Sequence, residues 1–281
     1  MNTNFSYGSS RGGMLNPHGP IAQNQLHLFY TVLCIMLCVV VPVIILAISF
    51  FYYYRSRTNH FAKYRPNWSH STMLEIICWS IPGLIILVLA TITWKTTHEL
   101  DPYKPLDINK DPVQIEVVAL DWKWLFIYPQ HDIAVVNQLV IPLNTPIDFK
   151  VTASGGPMNS FFIPQLGGQI YAMTGMITRL HLLATSLGEF HGFSANYSGS
   201  GFAHMRFLTT VLSEKDFAQW IVDLKHLEKF QDLTWEYFWK YLMIESINHP
   251  VLYYSSVDKG LFNDIVIQNM LPVHDSGSQE I

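Results

Sequence analysis

Two long stretches of this chain carry almost no charge, and the remainder alternates in short runs. Residues 26–54 hold no Asp, Glu, Lys or Arg, and residues 66–94 hold only Glu75. A helix needs about 20 mostly apolar residues to cross a bilayer. The first stretch exceeds that length and has room to tilt; the second, over 74–95, just meets it. Pro42 and Pro82 fall inside the two stretches, a position membrane helices tolerate when neighbouring groups satisfy the freed carbonyl. Tyr52, Tyr53, Tyr54, Trp68 and Trp94 stand at the ends, the level at which aromatic belts form. The first stretch is too long, and wrongly flanked, for a cleaved signal peptide. The pattern predicts two transmembrane helices, over 26–54 and 74–95, joined by a loop over 55–73.

Beyond the second stretch the pattern changes. Residues 96–112 read as a polar linker broken by Pro102, Pro105 and Pro112. Short β-rich runs follow at 113–120, 122–128, 133–141, 147–152, 160–163, 176–184, 189–197 and 205–212. Turn signals separate them, including Pro142, Pro146, the Gly155-Gly156-Pro157 run, Gly167-Gly168 and Gly188. That spacing predicts an all-β sandwich over 113–212, of Greek-key type. From 213 to 271 the period lengthens. Phe217, Trp220, Ile221 and Leu224 recur at helical spacing, after a Ser213-Glu-Lys-Asp216 helix-start box. Further helices are predicted over 235–247 and 260–270, with a frayed tail over 272–281.

Charge sets the orientation. The loop between the spans holds Arg55, Arg57, Lys63 and Arg65 and no acid, whereas the first 25 residues hold only Arg11. The positive-inside rule places the loop in the cytoplasm and both termini on the far side. The part after Trp94 carries 12 basic and 20 acidic residues, a net of −8, the mark of a solvated extracytoplasmic surface. With 14% charged residues, 49% hydrophobic ones and a net charge of −4, the chain is neither disordered nor a basic nucleic-acid-binding domain. Its three cysteines, Cys34, Cys38 and Cys78, all sit in the apolar stretches. They read as small packing residues and exclude a disulfide framework.

Several local words carry a resemblance. They are Lys63-x-x-Pro66-Asn-Trp-Ser-His-Ser71, Trp94-Lys-Thr-Thr-His98, Asp121-Trp-Lys-Trp124, Met158-Asn-Ser-Phe-Phe-Ile-Pro164 and Gln169-Ile-Tyr-Ala-Met173. With two spans ahead of a β-sandwich, the chain resembles subunit II of the haem–copper oxidases, in its cytochrome bo-type quinol oxidase branch, from about residue 15 to 270. The resemblance implies a membrane protein: a two-helix transmembrane hairpin plus an extracytoplasmic cupredoxin-like Greek-key β-sandwich with C-terminal α-helices. It implies the bacterial inner membrane, with the large domain in the periplasm.

In the cytochrome c oxidase relatives the sandwich holds a two-copper centre, whose ligands are a His and a later Cys-x-Glu-x-Cys-x-x-x-His-x-x-Met loop. The resemblance places Asn159 at the first His, Ser194 and Ser198 at the cysteines, Asn196 at the Glu and Phe202 at the second His. Met205 alone keeps a ligand type. One part of this is independent of any alignment: residues 95–281 contain no cysteine, so neither a two-copper thiolate centre nor a blue-copper thiolate site can form there. His131, His181, His191 and His204 lack the spacing of a compact metal site and read as surface or hydrogen-bonded histidines.

The resemblance therefore implies a non-redox subunit. Haems and copper are expected in subunit I, with subunits III and IV completing the complex, membrane lipid around the spans and no nucleic acid. The implied reaction is oxidation of ubiquinol, reduction of O2 to water and proton pumping. Menaquinol and a stand-alone cupredoxin-like binding protein remain as alternatives. Glu75 is the candidate for proton entry, because the matching Glu of the family lies near the mouth of a proton-uptake pathway; Thr72-Met-Leu-Glu75 also reads as a capping box. Trp122 and Trp124, two apart on a predicted strand, should face one side as an aromatic packing patch. Lys95 and His98 suit a helix C-terminus. Residues 1–25 show no apolar signal core and no cysteine, so no lipid anchor is expected.

Overall fold

The computed structural model describes residues 13–55, 69–106, 108, 110–226 and 231–270. Most of the basic loop, the lipid-anchor question at the extreme N-terminus and the tail lie outside the described residues. The chain divides into two compact units, one of residues 26–101 and one of residues 1–25 with 102–281.

The first unit holds the spans. Helix α1 (Pro20–Tyr53) includes Pro42 and starts six residues before the predicted span; helix α2 (Thr72–Glu99) includes Pro82. Neither apolar centre is buried within the chain, as expected of surfaces that face lipid or another subunit. Hydroxyls along the spans bond back to carbonyls four residues earlier, Ser49 to Ile45 at 2.6 Å and Thr91 to Leu87 at 2.8 Å. This satisfies them without water.

In the second unit, two sheets form a sandwich. The strands are β1 (Val113–Leu120), β2 (Lys123–Tyr128), β3 (Ile133–Val136), β4 (Gln138–Pro142), β5 (Ile147–Ala153), β6 (Asn159–Phe162), β7 (Ile170–Ala172), β8 (Thr178–Leu182), β9 (Gly188–Ser194), β10 (Arg206–Leu212) and β11 (Leu252–Tyr254). One sheet runs β11-β3-β2-β1-β5-β8 and the other β4-β10-β9-β6-β7. Ile115, Trp124, Phe126, Phe149, Phe161 and Phe207 fill the space between them. Tyr128 ties the sheets together: its hydroxyl donates to Val140 O at 2.8 Å and accepts from Val140 N at 2.9 Å.

The run predicted as one strand over 133–141 is two strands in different sheets. Asn137 makes the switch with φ of 58°, a left-handed conformation that Asn accepts more readily than most residues. Its amide donates to Trp124 O and its Oδ1 accepts from Trp124 N, at 2.8 and 2.9 Å.

The six-stranded sheet is buried on both faces. On its outer face Val118, Leu120, Leu125 and Ile127 meet Phe238, Leu242, Phe262 and Ile265 from the C-terminal segment. Strands covered on both sides read as continuous apolar runs, as Val117–Leu120 of β1 and Trp124–Tyr128 of β2 do. That segment comprises α3 (Glu214–His226), a short α4 (Trp235–Tyr237) continuing into a π-helical turn (Phe238–Leu242), and α5 (Leu261–Met270). The Ser213 box forms: Asp216 N donates to Ser213 Oγ at 3.2 Å and Ser213 Oγ to Asp216 Oδ2 at 2.7 Å. The helix predicted over 235–247 is shorter, because the π turn ends it at Met243.

Part of the N-terminal stretch docks on the sandwich. His18 N donates to Gln165 O at 2.7 Å, Thr185 N donates to His18 O at 2.9 Å, and Ala22 is buried. A Cβ on Gly19 would lie 2.4 Å from Leu183 O, so glycine is required for that approach. These contacts join the start of α1 to the sandwich unit.

Candidate functional site at the sandwich rim

The rim where β6 begins and β9 ends gathers most of the positions that the resemblance aligns with copper ligands. Ser194 Oγ donates to Asn159 Oδ1 at 3.1 Å and accepts from Ser160 N at 3.4 Å. Ser194 N donates to Met205 O at 3.1 Å, and Met205 is fully buried. Asn196 Nδ2 donates to Met158 O at 3.1 Å. Ser198 is buried, and its hydroxyl meets no partner among the described residues. Phe202 lies in a 3-10 turn, its ring 5.7 Å from that of Tyr197.

The chemistry of this donor set does not fit copper. Two hydroxyls, two amides and a phenyl ring supply no thiolate and no imidazole, and a lone thioether is a weak ligand. The side chains of Asn159, Ser194 and Asn196 instead bond to each other and to the backbone, as buried polar groups tend to. Among the described residues no group of three or more His, Cys, Asp or Glu side chains is placed to hold a metal ion.

Trp122 and Trp124 do not share a strand face. Trp122 precedes β2 in a turn, with φ of 65°, which breaks the alternation that would align it with Trp124. Trp124 is fully buried in the core, its ring centroid 5.4 Å from Phe161 and 5.8 Å from Phe207. Trp122 lies over Gly199 and Gly201, where added Cβ atoms would come within 2.5 and 2.3 Å of its ring. Its indole N–H donates to Glu245 Oε1 at 2.6 Å.

This contact opens a polar cluster that sequence reading missed. Lys123 is 1% exposed, yet its ammonium donates to Ile244 O at 2.6 Å and Ser246 Oγ at 2.8 Å. Burial pushes its pKa down, with Asp121 opposing. Burial, then the charge of Glu245, pushes the Asp121 carboxyl above the usual aspartate range, with Lys123 opposing. The partners are more than 120 residues apart in sequence, so no local pattern signals them; a charged pair flanking Trp122 was the available hint.

Glu75 sits in the first turn of α2, where a carboxylate suits the helix dipole. The capping box predicted from Thr72 does not form. Ser71 is the N-cap, extended at φ −145°, and makes no side-chain cap bond. The Glu75 carboxylate lies 3.9 Å from His70 Nε2, both side chains being over 60% exposed at 62% and 63%. A pair so exposed contributes little to stability. At the other end, His98 Nδ1 lies 2.8 Å from Trp94 O, as a C-terminal capping group does.

His131 and His181 lie apart from this rim. Burial, then Lys225, pushes the His131 pKa down, with Asp132 opposing. His181 sits between Asp148 Oδ1 at 3.4 Å and Pro102 O at 3.0 Å, holding the end of the linker to β5 and β8.

Three family models match in order along the chain: the transmembrane domain of cytochrome c oxidase subunit II over residues 10–95, its periplasmic domain over 93–212, and the COX aromatic-rich motif over 230–272. Similar proteins include the cytochrome bo(3) ubiquinol oxidase subunit 2 of Pseudomonas putida, 51% identical over 90% of this chain and 79% of that protein. The ubiquinol oxidase subunit 2 of Acetobacter aceti is 49% identical over 90% and 81%. The cytochrome bo(3) ubiquinol oxidase subunit 2 of Buchnera aphidicola subsp. Baizongia pistaciae is 46% identical over 92% and 90%. Two apolar spans, a periplasmic sandwich and an aromatic C-terminal segment, matched over nine-tenths of the chain, assign it: the chain belongs to the oxidase subunit II family, among the ubiquinol oxidase subunits 2.

Proposed function

We propose that this chain is the non-redox subunit II of a proton-pumping terminal oxidase of the bacterial inner membrane, in which ubiquinol is oxidised and O2 is reduced to water. The observation that carries this reading is the donor set at the rim. Electron entry from cytochrome c through subunit II needs a copper centre, and residues 95–281 supply no thiolate to build one. Electrons then reach subunit I from a donor dissolved in the membrane, and a quinol is such a donor. Haems and copper belong to subunit I, and subunits III and IV complete the assembly.

In this reading the chain's own residues bind and position. The exposed apolar faces of α1 and α2 meet subunit I and lipid, and the sandwich caps subunit I on the periplasmic side. The hydrogen bonds of Asn159, Ser194 and Asn196 hold the rim loop rigid without a metal. Glu75 offers an exposed carboxylate at the cytoplasmic start of α2, where it can take protons from water and pass them toward subunit I.

Purification of the tagged full-length chain in mild detergent tests the assignment. It should bring down a haem-containing partner in stoichiometric amount. Isolation of the chain alone, free of haem protein, would contradict it.

A further inference from the structure

A cleft of about 570 Å3 opens on the outer side of the five-stranded sheet. Its polar lining comprises Asn137, His191, His204, Arg206, Asn248 and His249. None of the lining residues is an acid. Glu189, two residues before His191 on the same face of β9, is not among them.

The walls are built rather than incidental. Asn137 and Asn248 both hold left-handed backbones, at φ 58° and 54°. Asn137 Nδ2 donates to His249 O at 2.8 Å, and Leu208 N donates to Asn137 O at 3.2 Å. The strand switch, the edge of β10 and the C-terminal segment are thereby pinned around one opening. Arg206 Nε donates to Ala203 O at 3.1 Å; among the described residues its terminal amino groups, and the ring nitrogens of His191 and His204, meet no protein partner. The guanidinium donors, and one N–H from each neutral imidazole, are left open to the cleft.

His249 differs from the other two histidines. Its Nδ1 lies 2.8 Å from Pro250 O, so Nδ1 carries a proton and donates. Burial, then the charge of Lys123, holds its pKa below the usual histidine range, with the Pro250 bond opposing. Burial favours the neutral ring, whose Nε2 is an acceptor. A guanidinium and N–H donors suit the charged oxygens of an anion, and the imidazole acceptors beside them suit one that still carries a proton.

We infer that this cleft binds inorganic phosphate, which keeps at least one P–OH at pH 7, with Arg206 on the charged oxygens and His249 on the P–OH. Sulfate carries the same charge but no proton at pH 7, and a phosphodiester headgroup has none either; both bind less well. The site is formed by this chain's residues alone; its test uses the complex of the proposed function, which haem content reports separately from phosphate binding.

The test titrates inorganic phosphate, sulfate and a soluble short-chain phosphatidylglycerol into the purified complex. Titration calorimetry at pH 7, in chloride at fixed ionic strength, reads binding. Phosphate should saturate one site per chain and bind more tightly than the other two. Arg206→Gln should weaken phosphate about tenfold or more, the loss of one charge-assisted contact. His249→Asn should remove the preference over sulfate, and Lys259→Gln, remote from the cleft, should change neither. Haem content and thermal midpoint confirm that each variant is assembled, and His204→Gln serves as a second test should Arg206→Gln fail to assemble. No saturable phosphate binding, equal or tighter binding of sulfate or the phosphodiester, or indifference to Arg206→Gln or His204→Gln would overturn the inference.

Discussion

The hydroxyl of Ser194 donates to Asn159 Oδ1 at 3.1 Å while it accepts the Ser160 amide at 3.4 Å. One side chain thus joins β6 to β9 at the rim where the relatives of the family resemblance hold copper. Ser194→Ala leaves a buried amide and a buried carbonyl oxygen without a partner, a loss of about 1–3 kcal/mol. Thermal unfolding of the intact chain should show that destabilisation, and hydrogen exchange at the Ser160 amide should accelerate. An unchanged midpoint with full protection of that amide would show that the bond does not hold the rim.

The approach of Trp122 to the rim loop depends on two glycines. Gly201→Ala brings a Cβ to 2.3 Å from the indole, an overlap that costs about 1–3 kcal/mol in a packed site. In a Trp122→Ala background the same substitution should cost much less. Equal costs in the two backgrounds, read from a double-mutant cycle, would contradict this packing.

Asp121 contributes a pH dependence of known sign. Its raised pKa means that the folded chain binds more protons than the unfolded chain above the ordinary aspartate range. Stability therefore falls as pH rises from about 4 through the raised value, and the charged form is the disfavoured one. Asp121→Asn removes that component. Its thermal midpoint should exceed that of the parent chain at pH 7, with the gap closing toward pH 4; a gap that widens toward acid pH would reverse the assignment.

Charge gaps and strand periodicity were enough to read the spans and most of the strands, because a bilayer span and a two-sided sheet each impose a local pattern on the chain. The strand switch at Asn137 was not legible, since residues 133–141 stay apolar on both sides of it and only the left-handed backbone of one residue redirects the chain. Trp122 and Trp124 were misplaced for the same reason, a left-handed residue that interrupts alternation. The loss of thiolates was legible outright, because an absent residue type needs no geometry. The Trp122–Glu245 and Lys123–Ser246 contacts were not, because their partners meet only once the C-terminal segment has folded back on the sheet.

Glu75→Ala should slow quinol-dependent O2 uptake severalfold, with haem content and subunit composition unchanged, and Glu75→Asp should restore part of the rate. Because the one side-chain contact of Glu75 among the described residues is an exposed pair with His70, the thermal midpoint should move by less than about 0.5 kcal/mol equivalent, as for other exposed substitutions. Wild-type turnover and proton pumping in a fully assembled Glu75→Ala complex would remove this residue from the proton path.

The central claim is that electrons bypass this chain. Oxygen consumption by the purified complex, supplied in turn with ubiquinol and with reduced cytochrome c, tests it most directly. Rapid uptake with ubiquinol and none with cytochrome c is the predicted result; sustained turnover with cytochrome c as sole donor would contradict it.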